Sequence, residues 1–140
     1  HVAGSELDGR TIPYDNSLEG LVSKKKDFIG KRSLQKEAYL AADREKIVGV
    51  VPIDKKTSIP EGSYIVRDPK AKLPNPKLGH VSASCWSVEY NNPFSLAILK
   101  DGKNNIGKKL YALSPLKNKS IPVEIVSSHY VDPKGERVRS

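Results

Sequence analysis

The sequence lacks methionine altogether and carries one cysteine and one tryptophan among its 140 residues. A single cysteine cannot form an internal disulfide, so we expect a reducing compartment, the cytoplasm. No apolar run approaches the roughly 20 residues that a membrane-spanning helix needs. The first residues also lack the charged head and apolar stretch of a signal peptide. The sequence therefore predicts a cytoplasmic chain without a membrane partner, and the missing initial methionine indicates a piece of a longer protein.

Aromatic residues are scarce at 6 %, whereas basic residues are abundant and give a net charge of +8. The lysines are scattered, and no run interleaves arginine with aromatic residues as RNA-binding signatures do. We therefore interpret most of this charge as a solvated surface. The alternative is an anionic partner, either a nucleic acid or a ligand that bears carboxylates or phosphates.

Motifs of the common catalytic and metal centres are missing too. His80 and His129 have no metal-ligating partners at a usable spacing, so no metal site is predicted. Ser84, His80 and Asp101 do not indicate a hydrolase triad, because no Gly-x-Ser-x-Gly motif is present. Cys85 is expected to be a small buried hydrophobic residue. The absence of Gly-x-Gly-x-x-Gly speaks against a dinucleotide site, and we expect no catalytic residue in the chain.

Ten prolines and ten glycines favour short elements over long helices. From residue 46 onward, β-branched or alternating stretches follow one another with turn residues between them. These stretches are KIVGVVPID, SYIV, GHVSASCWSV, PFSLAILK, KKLYAL and SIPVEIVSSHYV. Six strands at this spacing predict a mainly β fold, either a small antiparallel β-barrel or a sandwich.

Alternation along the strands assigns side chains to common faces. The expected sets are Val81 with Ala83 and Cys85, Phe94 with Leu96 and Ile98, and, pointing inward, Ile121 with Val123 and Ile125. Asp101-Gly102 predicts a hairpin turn before the fifth strand. Ahead of the strands, residues 27–41 show the spacing of an amphipathic helix. Residues 1–26 do not form a self-sufficient unit, and we expect them to be poorly ordered.

Three stretches carry a family resemblance: DFIGKRSL at 27–34, GHVSASCWSVEYNNPFSLAIL at 79–99 and YVDPKGERVR at 130–139. Together with ELDGRT and PYD between residues 6 and 15, they resemble the C-terminal region of the folate-binding aminomethyltransferases. This family includes the glycine-cleavage T-protein and dimethylglycine dehydrogenase. The likeness is greatest to the alpha subunits of heterotetrameric sarcosine oxidases, which the Asp-Gly element and the closing Asp-Pro-x-Gly-x-Arg favour over the T-protein.

The resemblance implies that residues 1–45 are the tail of the folate-binding domain with a connecting helix, and that residues 46–140 are a C-terminal six-stranded antiparallel β-barrel. It implies a whole enzyme, a sarcosine oxidase, that demethylates sarcosine oxidatively to glycine and forms 5,10-methylenetetrahydrofolate. Tetrahydrofolate and the other subunits of a heterotetramer would be the partners. FAD, FMN and NAD would be bound outside this chain, and the catalytic residues would lie upstream, so the isolated piece would be inactive.

Five residues match positions that the resemblance connects with folate: Lys24, Lys25, Trp86, Tyr130 and Arg137. The two lysines would face the folate channel, and the basic residue near the C-terminus would reach the anionic glutamate tail. The plainer alternatives are solvated lysines, a core tryptophan and a clamp on the terminus. Two functional alternatives also stay open: a fragment of a T-protein or dimethylglycine dehydrogenase type of aminomethyltransferase, and a nucleic-acid-binding β-barrel. The lack of clustered aromatic residues for base stacking speaks against the latter.

Overall fold

Six strands form a closed antiparallel barrel in the computed structural model, which describes residue 1, residues 3–70 and residues 76–139. The strands are β1 (Glu45–Pro52), β2 (Tyr64–Val66), β3 (Gly79–Ser87), β4 (Asn92–Lys100), β5 (Lys109–Ser114) and β6 (Lys119–Val126). Around the barrel their order is β1, β4, β3, β2, β5 and β6, and β6 closes the barrel by pairing with β1. The predicted mainly β fold with a six-stranded barrel is confirmed.

The interior of the barrel is one aliphatic cluster to which every strand contributes. Its buried members are Val48, Val50, Ile59, Ile65, Val81, Ala97, Leu99, Leu110, Ala112, Ile121, Val123 and Ile125. Most of them are β-branched, and such side chains pack well on a pleated surface. The inward set predicted on β6 is confirmed, because Ile121, Val123 and Ile125 all belong to this cluster.

The prediction that Val81, Ala83 and Cys85 share one face of β3 is wrong after Val81. The register of β3 against β4 shifts between Val81 and Ala83, so a bulge interrupts the alternation. Val81 points into the core, whereas Cys85 is exposed and is therefore not the buried hydrophobic residue that the sequence predicted. The two strands approach closely at Gly79, where an added Cβ would lie 2.0 Å from the backbone oxygen of Ile98.

The three side chains of β4 that were predicted to share one face lie on the outside of the barrel. Ala97 and Leu99 belong to the interior cluster, and the residues that alternate with them face the other way: Phe94, Leu96 and Ile98. Phe94 covers the backbone of β1 at Gly49, where an added Cβ would lie 2.7 Å from its ring. The outer face of β4 thus provides a second, smaller packing surface.

The hairpin predicted at Asp101-Gly102 is wrong, because β4 and β5 are not neighbours in the barrel. A 3₁₀ turn at Gly102–Asn105 follows β4 instead. The Asn105 side-chain amide donates to the backbone oxygens of Lys100 and Asp101 at 3.2 and 2.9 Å. These bonds hold the connection against the end of β4, so the chain crosses to the other side of the barrel before β5 begins.

The single helix predicted over residues 27–41 is also wrong. A 3₁₀ turn at Ser33–Gln35 and a short helix α1 (Glu37–Leu40) are separated by Lys36, whose backbone is extended with ψ 139°. Neither element has a buried residue. A helix of this length gains most of its stability from packing an apolar face, and that packing is absent here. No helix among the described residues is long and apolar enough to cross a membrane.

The start of the chain is attached to the barrel around Asp15. The carboxylate of Asp15 accepts hydrogen bonds from Arg44, at 3.0 Å from Nε and 2.5 Å from Nη2, and from the backbone N–H of Ile12 at 3.1 Å. Its backbone oxygen accepts from the N–H of Ile47 in β1 at 2.7 Å. Glu6, Asp15 and Asn16 are buried at this contact. Part of segment 1–26 therefore lies on the barrel, while its poor order stays a prediction.

Candidate ligand-binding surfaces

The C-terminal tail returns to the β3–β4 hairpin and contacts it through three aromatic rings. Tyr130 stacks on Phe94 with ring centroids 4.8 Å apart and an interplanar angle of 12°. The ring of Tyr90, in the hairpin turn, lies 4.6 Å from that of Tyr130 at 52°. The amide of Asn92 donates to the Tyr130 hydroxyl at 3.2 Å. These contacts fix the tail on the outer face of β4.

An ion pair completes this contact at the hairpin turn. The guanidinium of Arg137 donates to the carboxylate of Glu89 at two points, with distances of 2.6 and 3.2 Å. Arg137 holds the pKa of Glu89 below its usual range, mainly through the hydrogen bond. We call the set formed by Glu89, Tyr90, Phe94, Tyr130 and Arg137 the tail clasp. Its geometry agrees with the plainer alternative for Tyr130 and Arg137, a clamp on the terminus.

Trp86 lies on the other side of the same hairpin. It pairs with Pro93 across the two strands, whereas Phe94 pairs with Cys85. Because side chains alternate between the faces of a sheet, Trp86 points away from the face that carries Phe94 and Tyr130. Its side chain is exposed, at 53 %, so the plainer alternative of a core tryptophan is wrong.

The two predicted lysines line a groove formed by the N-terminal segment. We call this groove, with a cavity volume of 840 Å³, the lysine groove. Its lining residues are Tyr14, Glu19, Gly20, Val22, Ser23, Lys24, Lys25, Lys26, Phe28, Lys31, Leu34 and Gln35. Apolar side chains and one tyrosine therefore lie beside four lysines, which gives a surface suited to a ligand with both a carbon skeleton and negative charge.

The charges in the lysine groove are only partly compensated. Lys31 pairs with Asp27 at 2.9 Å. Glu19 pairs with Lys103 at 2.5 Å, and this hydrogen bond is the main reason that the pKa of Glu19 is lowered. In the part of the chain that the structure describes, the side chains of Lys24, Lys25 and Lys26 make no hydrogen bond or ion pair. Their ammonium groups are available to an anion.

The structure therefore distributes the five predicted residues over three surfaces. Tyr130 and Arg137 come together in the tail clasp, Lys24 and Lys25 share the lysine groove, and Trp86 lies on the opposite face of the hairpin. The sequence analysis missed Glu89, Tyr90 and Phe94 as members of the clasp. The spacing of the two rings, one in the hairpin turn at position 90 and one on β4 at position 94, is a sequence signal for such a cluster, but their partner lies far along the chain.

No three His, Cys, Asp or Glu side chains among the described residues are grouped so that they could hold a metal ion. A smaller cavity of 290 Å³ lies where the N-terminal segment contacts β1 and β3, lined in part by Asp8, Asp15 and His80. Both aspartates are already paired with arginines, Asp8 with Arg10 and Asp15 with Arg44. The lysine groove and the tail clasp therefore remain the stronger candidates for binding an anion.

No protein-family model matches the sequence. The chain is 34 % identical over 139 residues to the sarcosine oxidase subunit alpha of Rhizobium meliloti (strain 1021) and 34 % identical over 138 residues to that of Corynebacterium sp. (strain P-1). These alignments cover 99 % and 97 % of this chain, but the chain spans only 14 % of each relative's length. The resemblance to sarcosine oxidase alpha subunits is therefore confirmed over nearly the whole chain.

A similar fold occurs in the glycine cleavage system aminomethyltransferase T from Bartonella henselae. The TM-score is 0.70, and the match covers 92 % of this chain and 34 % of that protein. With 17 % sequence identity, this likeness shows the fold alone. It agrees with the aminomethyltransferase type of barrel that the sequence motifs imply.

Proposed function

We propose that this chain is the C-terminal part of a sarcosine oxidase alpha subunit-like protein and that it contributes to tetrahydrofolate binding. The reaction of the whole protein would be the oxidative demethylation of sarcosine to glycine, with formation of 5,10-methylenetetrahydrofolate. The observation that carries the proposal is the similarity to two sarcosine oxidase alpha subunits over 97–99 % of this chain. This similarity favours the oxidase over the T-protein type and the nucleic-acid-binding alternatives.

The free lysines of the lysine groove fit the chemistry of the folate tail. Tetrahydrofolate ends in a glutamate with two carboxylates. Lys24 and Lys25 offer two uncompensated ammonium groups to one of them, which leaves the other for Arg137. An exposed ion pair at about 4 Å contributes only about 1 kcal/mol in water. A few such contacts give a dissociation constant no tighter than about 1 mM, which corresponds to about −4 kcal/mol. We therefore expect the isolated chain to keep only residual affinity.

The other predicted residues receive narrower roles in this proposal. Arg137 would contact a carboxylate of the tail, and Tyr130 would hold Arg137's segment on the hairpin. Trp86, exposed on the opposite face, would cover a flat part of the ligand or a neighbouring domain. FAD, FMN and NAD would be bound outside this chain, and other subunits would complete a cytoplasmic heterotetramer. The division into a folate-domain tail at 1–45 and a barrel at 46–140 belongs to the same proposal.

Titration of the 140-residue chain with tetrahydrofolate, followed by amide and side-chain chemical shifts, tests this function. We expect shifts at the lysine groove and at Arg137 at millimolar ligand. The double variant Lys24→Gln/Lys25→Gln should weaken binding several-fold. Lys55→Gln/Lys56→Gln is the matched control, because it removes the same charge from two consecutive exposed lysines outside the groove. Equal affinity of both double variants, or no shift at any of the five predicted residues, would refute the proposed contribution.

A further inference from the structure

Arg137 already holds a carboxylate, that of Glu89, in the geometry that a ligand's carboxylate would need. Its two terminal nitrogens donate to the two carboxylate oxygens, Nη2 to Oε1 at 2.6 Å and Nη1 to Oε2 at 3.2 Å. This parallel two-point arrangement is the one in which arginine recognises carboxylates most strongly. We propose that Glu89 is a built-in competitor for Arg137, so that a carboxylate ligand binds there only by displacing Glu89. This inference rests on the proposed function and identifies a residue that would limit affinity for the tail.

The position of Arg137 is fixed independently of Glu89. The carboxylate of Asp132 accepts hydrogen bonds from the backbone N–H groups of Glu136 at 2.9 Å and of Arg137 at 3.1 Å. Gly135 adopts a φ of 64°, which closes this turn at low steric cost. The ring stack at Tyr130 anchors the start of the same segment. Removal of the Glu89 carboxylate would therefore leave the backbone that presents the guanidinium in place.

Displacement of Glu89 is also sterically and electrostatically feasible. The side chains of Arg137 and Glu89 are 63 % and 43 % exposed, so a ligand can approach the pair from solvent. Glu89 lies in the turn between β3 and β4, where its side chain can swing outward without breaking strand pairing. The hydrogen bonds to Arg137 favour the ionised form of Glu89, so one anion replaces another and no proton has to move. The exchange would favour ligands with a carboxylate at their end.

The test uses p-aminobenzoyl-L-glutamate, which carries the tail carboxylates without the pterin ring. Titrations of the wild-type chain, Glu89→Gln and Glu124→Gln are followed through the Nε–H and guanidinium signals of Arg137. Glu124 lies exposed on β6, so its substitution changes the net charge equally without touching the clasp. We expect the dissociation constant at Arg137 to fall about three-fold for Glu89→Gln, which is in the range of an exposed ion pair. Glu124→Gln should bind like the wild type.

Each result of these titrations either supports or overturns the inference. Equal titrations of wild type and Glu89→Gln, including no response in either, would overturn the inference, as would an equal gain in Glu124→Gln. Thermal unfolding of Glu89→Gln shows whether the variant keeps its fold. Arg137→Gln, followed through the backbone amide shifts of the tail clasp, should abolish binding of the probe there. If Lys24→Gln/Lys25→Gln weakens tetrahydrofolate binding while Glu89→Gln changes nothing, the inference fails alone. If Glu89→Gln gains affinity for the probe but tetrahydrofolate gives no shifts, the proposed function fails alone.

Discussion

The attachment of the N-terminal segment to the barrel can be tested by the substitution Asp15→Asn. The side chain of Asp15 is 4 % exposed and that of Arg44 21 %, and two hydrogen bonds join them. Asparagine keeps an acceptor for the N–H of Ile12 but loses the negative charge opposite the guanidinium. Arg44 would then keep its charge at a partly buried site without the carboxylate of Asp15. Its remaining partners would be the carbonyl oxygens of Ala38 and Arg10 and the ring of Tyr39, whose centroid lies 5.3 Å from the guanidinium carbon.

The size of the effect follows from this partial burial. Removal of one partner from a fully buried ion pair costs about 3–5 kcal/mol. Water reaches Arg44 and takes up part of its charge, so we expect a loss of about 2 kcal/mol in the free energy of unfolding. With a urea dependence of about 1–3 kcal/mol per molar, the unfolding midpoint should fall by about 1 M. The exchange of the Ile47 amide proton should also accelerate, because its acceptor is the backbone oxygen of Asp15.

The control for this prediction is Asp8→Asn. Asp8 pairs with Arg10 only two residues away, and the Arg10 side chain is 91 % exposed, so water screens this pair and we expect a much smaller loss of stability than for Asp15→Asn. Urea denaturation followed by circular dichroism and amide exchange followed by NMR would be measured on both variants. If Asp15→Asn costs no more than Asp8→Asn, or if protection of Ile47 is unchanged, the contact does not anchor the segment and the reasoning is wrong.

Two further predictions concern the barrel itself. Gly49→Ala should lower the free energy of unfolding by about 1–3 kcal/mol through overpacking. The new Cβ would lie 2.5 Å from the backbone oxygen of Ser127 and 2.7 Å from the Phe94 ring. An unchanged denaturation midpoint would contradict this prediction. The pKa of Asp54 is lowered to about 2, chiefly by the hydrogen bond from the Thr57 hydroxyl. Its contribution to stability should be complete above pH 4 or so and disappear as the pH falls from about 4 to 2. A carboxyl NMR titration in which Thr57→Val does not raise that pKa would argue against this cause.

The barrel was predictable because its signal is local and repeated. Alternation on β6 placed Ile121, Val123 and Ile125 correctly, since a regular strand obeys a period of two residues. On β3 the same rule failed at the bulge between Val81 and Ala83, since one extra residue reverses every side chain after it. A bulge depends on the pairing strand, which the sequence of β3 alone does not contain.

The helix over 27–41 failed for the opposite reason. Its apolar spacing was correct as a pattern, but a pattern stabilises a helix only where a surface receives the apolar face. In the structure Leu34 borders the lysine groove and Leu40 is exposed, so no such surface is present. The chain forms a 3₁₀ turn and four helical residues there instead.

The candidate site was predictable only in its residue types. Basic residues at positions 24, 25 and 137 suggested anion binding, and the structure leaves the two lysines free to act in this way. It gives Arg137 a partner, Glu89, that is 48 residues away in the sequence. Such a pair arises from the return of the tail to the hairpin, which neither local sequence contains. The pairing of Arg137 with a carboxylate therefore follows from the fold and could not be predicted from the sequence motif.

The barrel and the segment that precedes it differ in how many buried side chains stabilise them. The barrel fills its interior with aliphatic residues from all six strands, and the tail clasp is fixed against it by rings and hydrogen bonds. Between residues 17 and 46, by contrast, no residue is buried, and Leu21, Ile29 and Leu40 are exposed. Each such side chain would contribute about 1.5–3 kcal/mol if another surface covered it. Tyr14, next to the Asp15 anchor, lines the lysine groove, so we expect Asp15→Asn to disturb the groove while leaving the clasp intact.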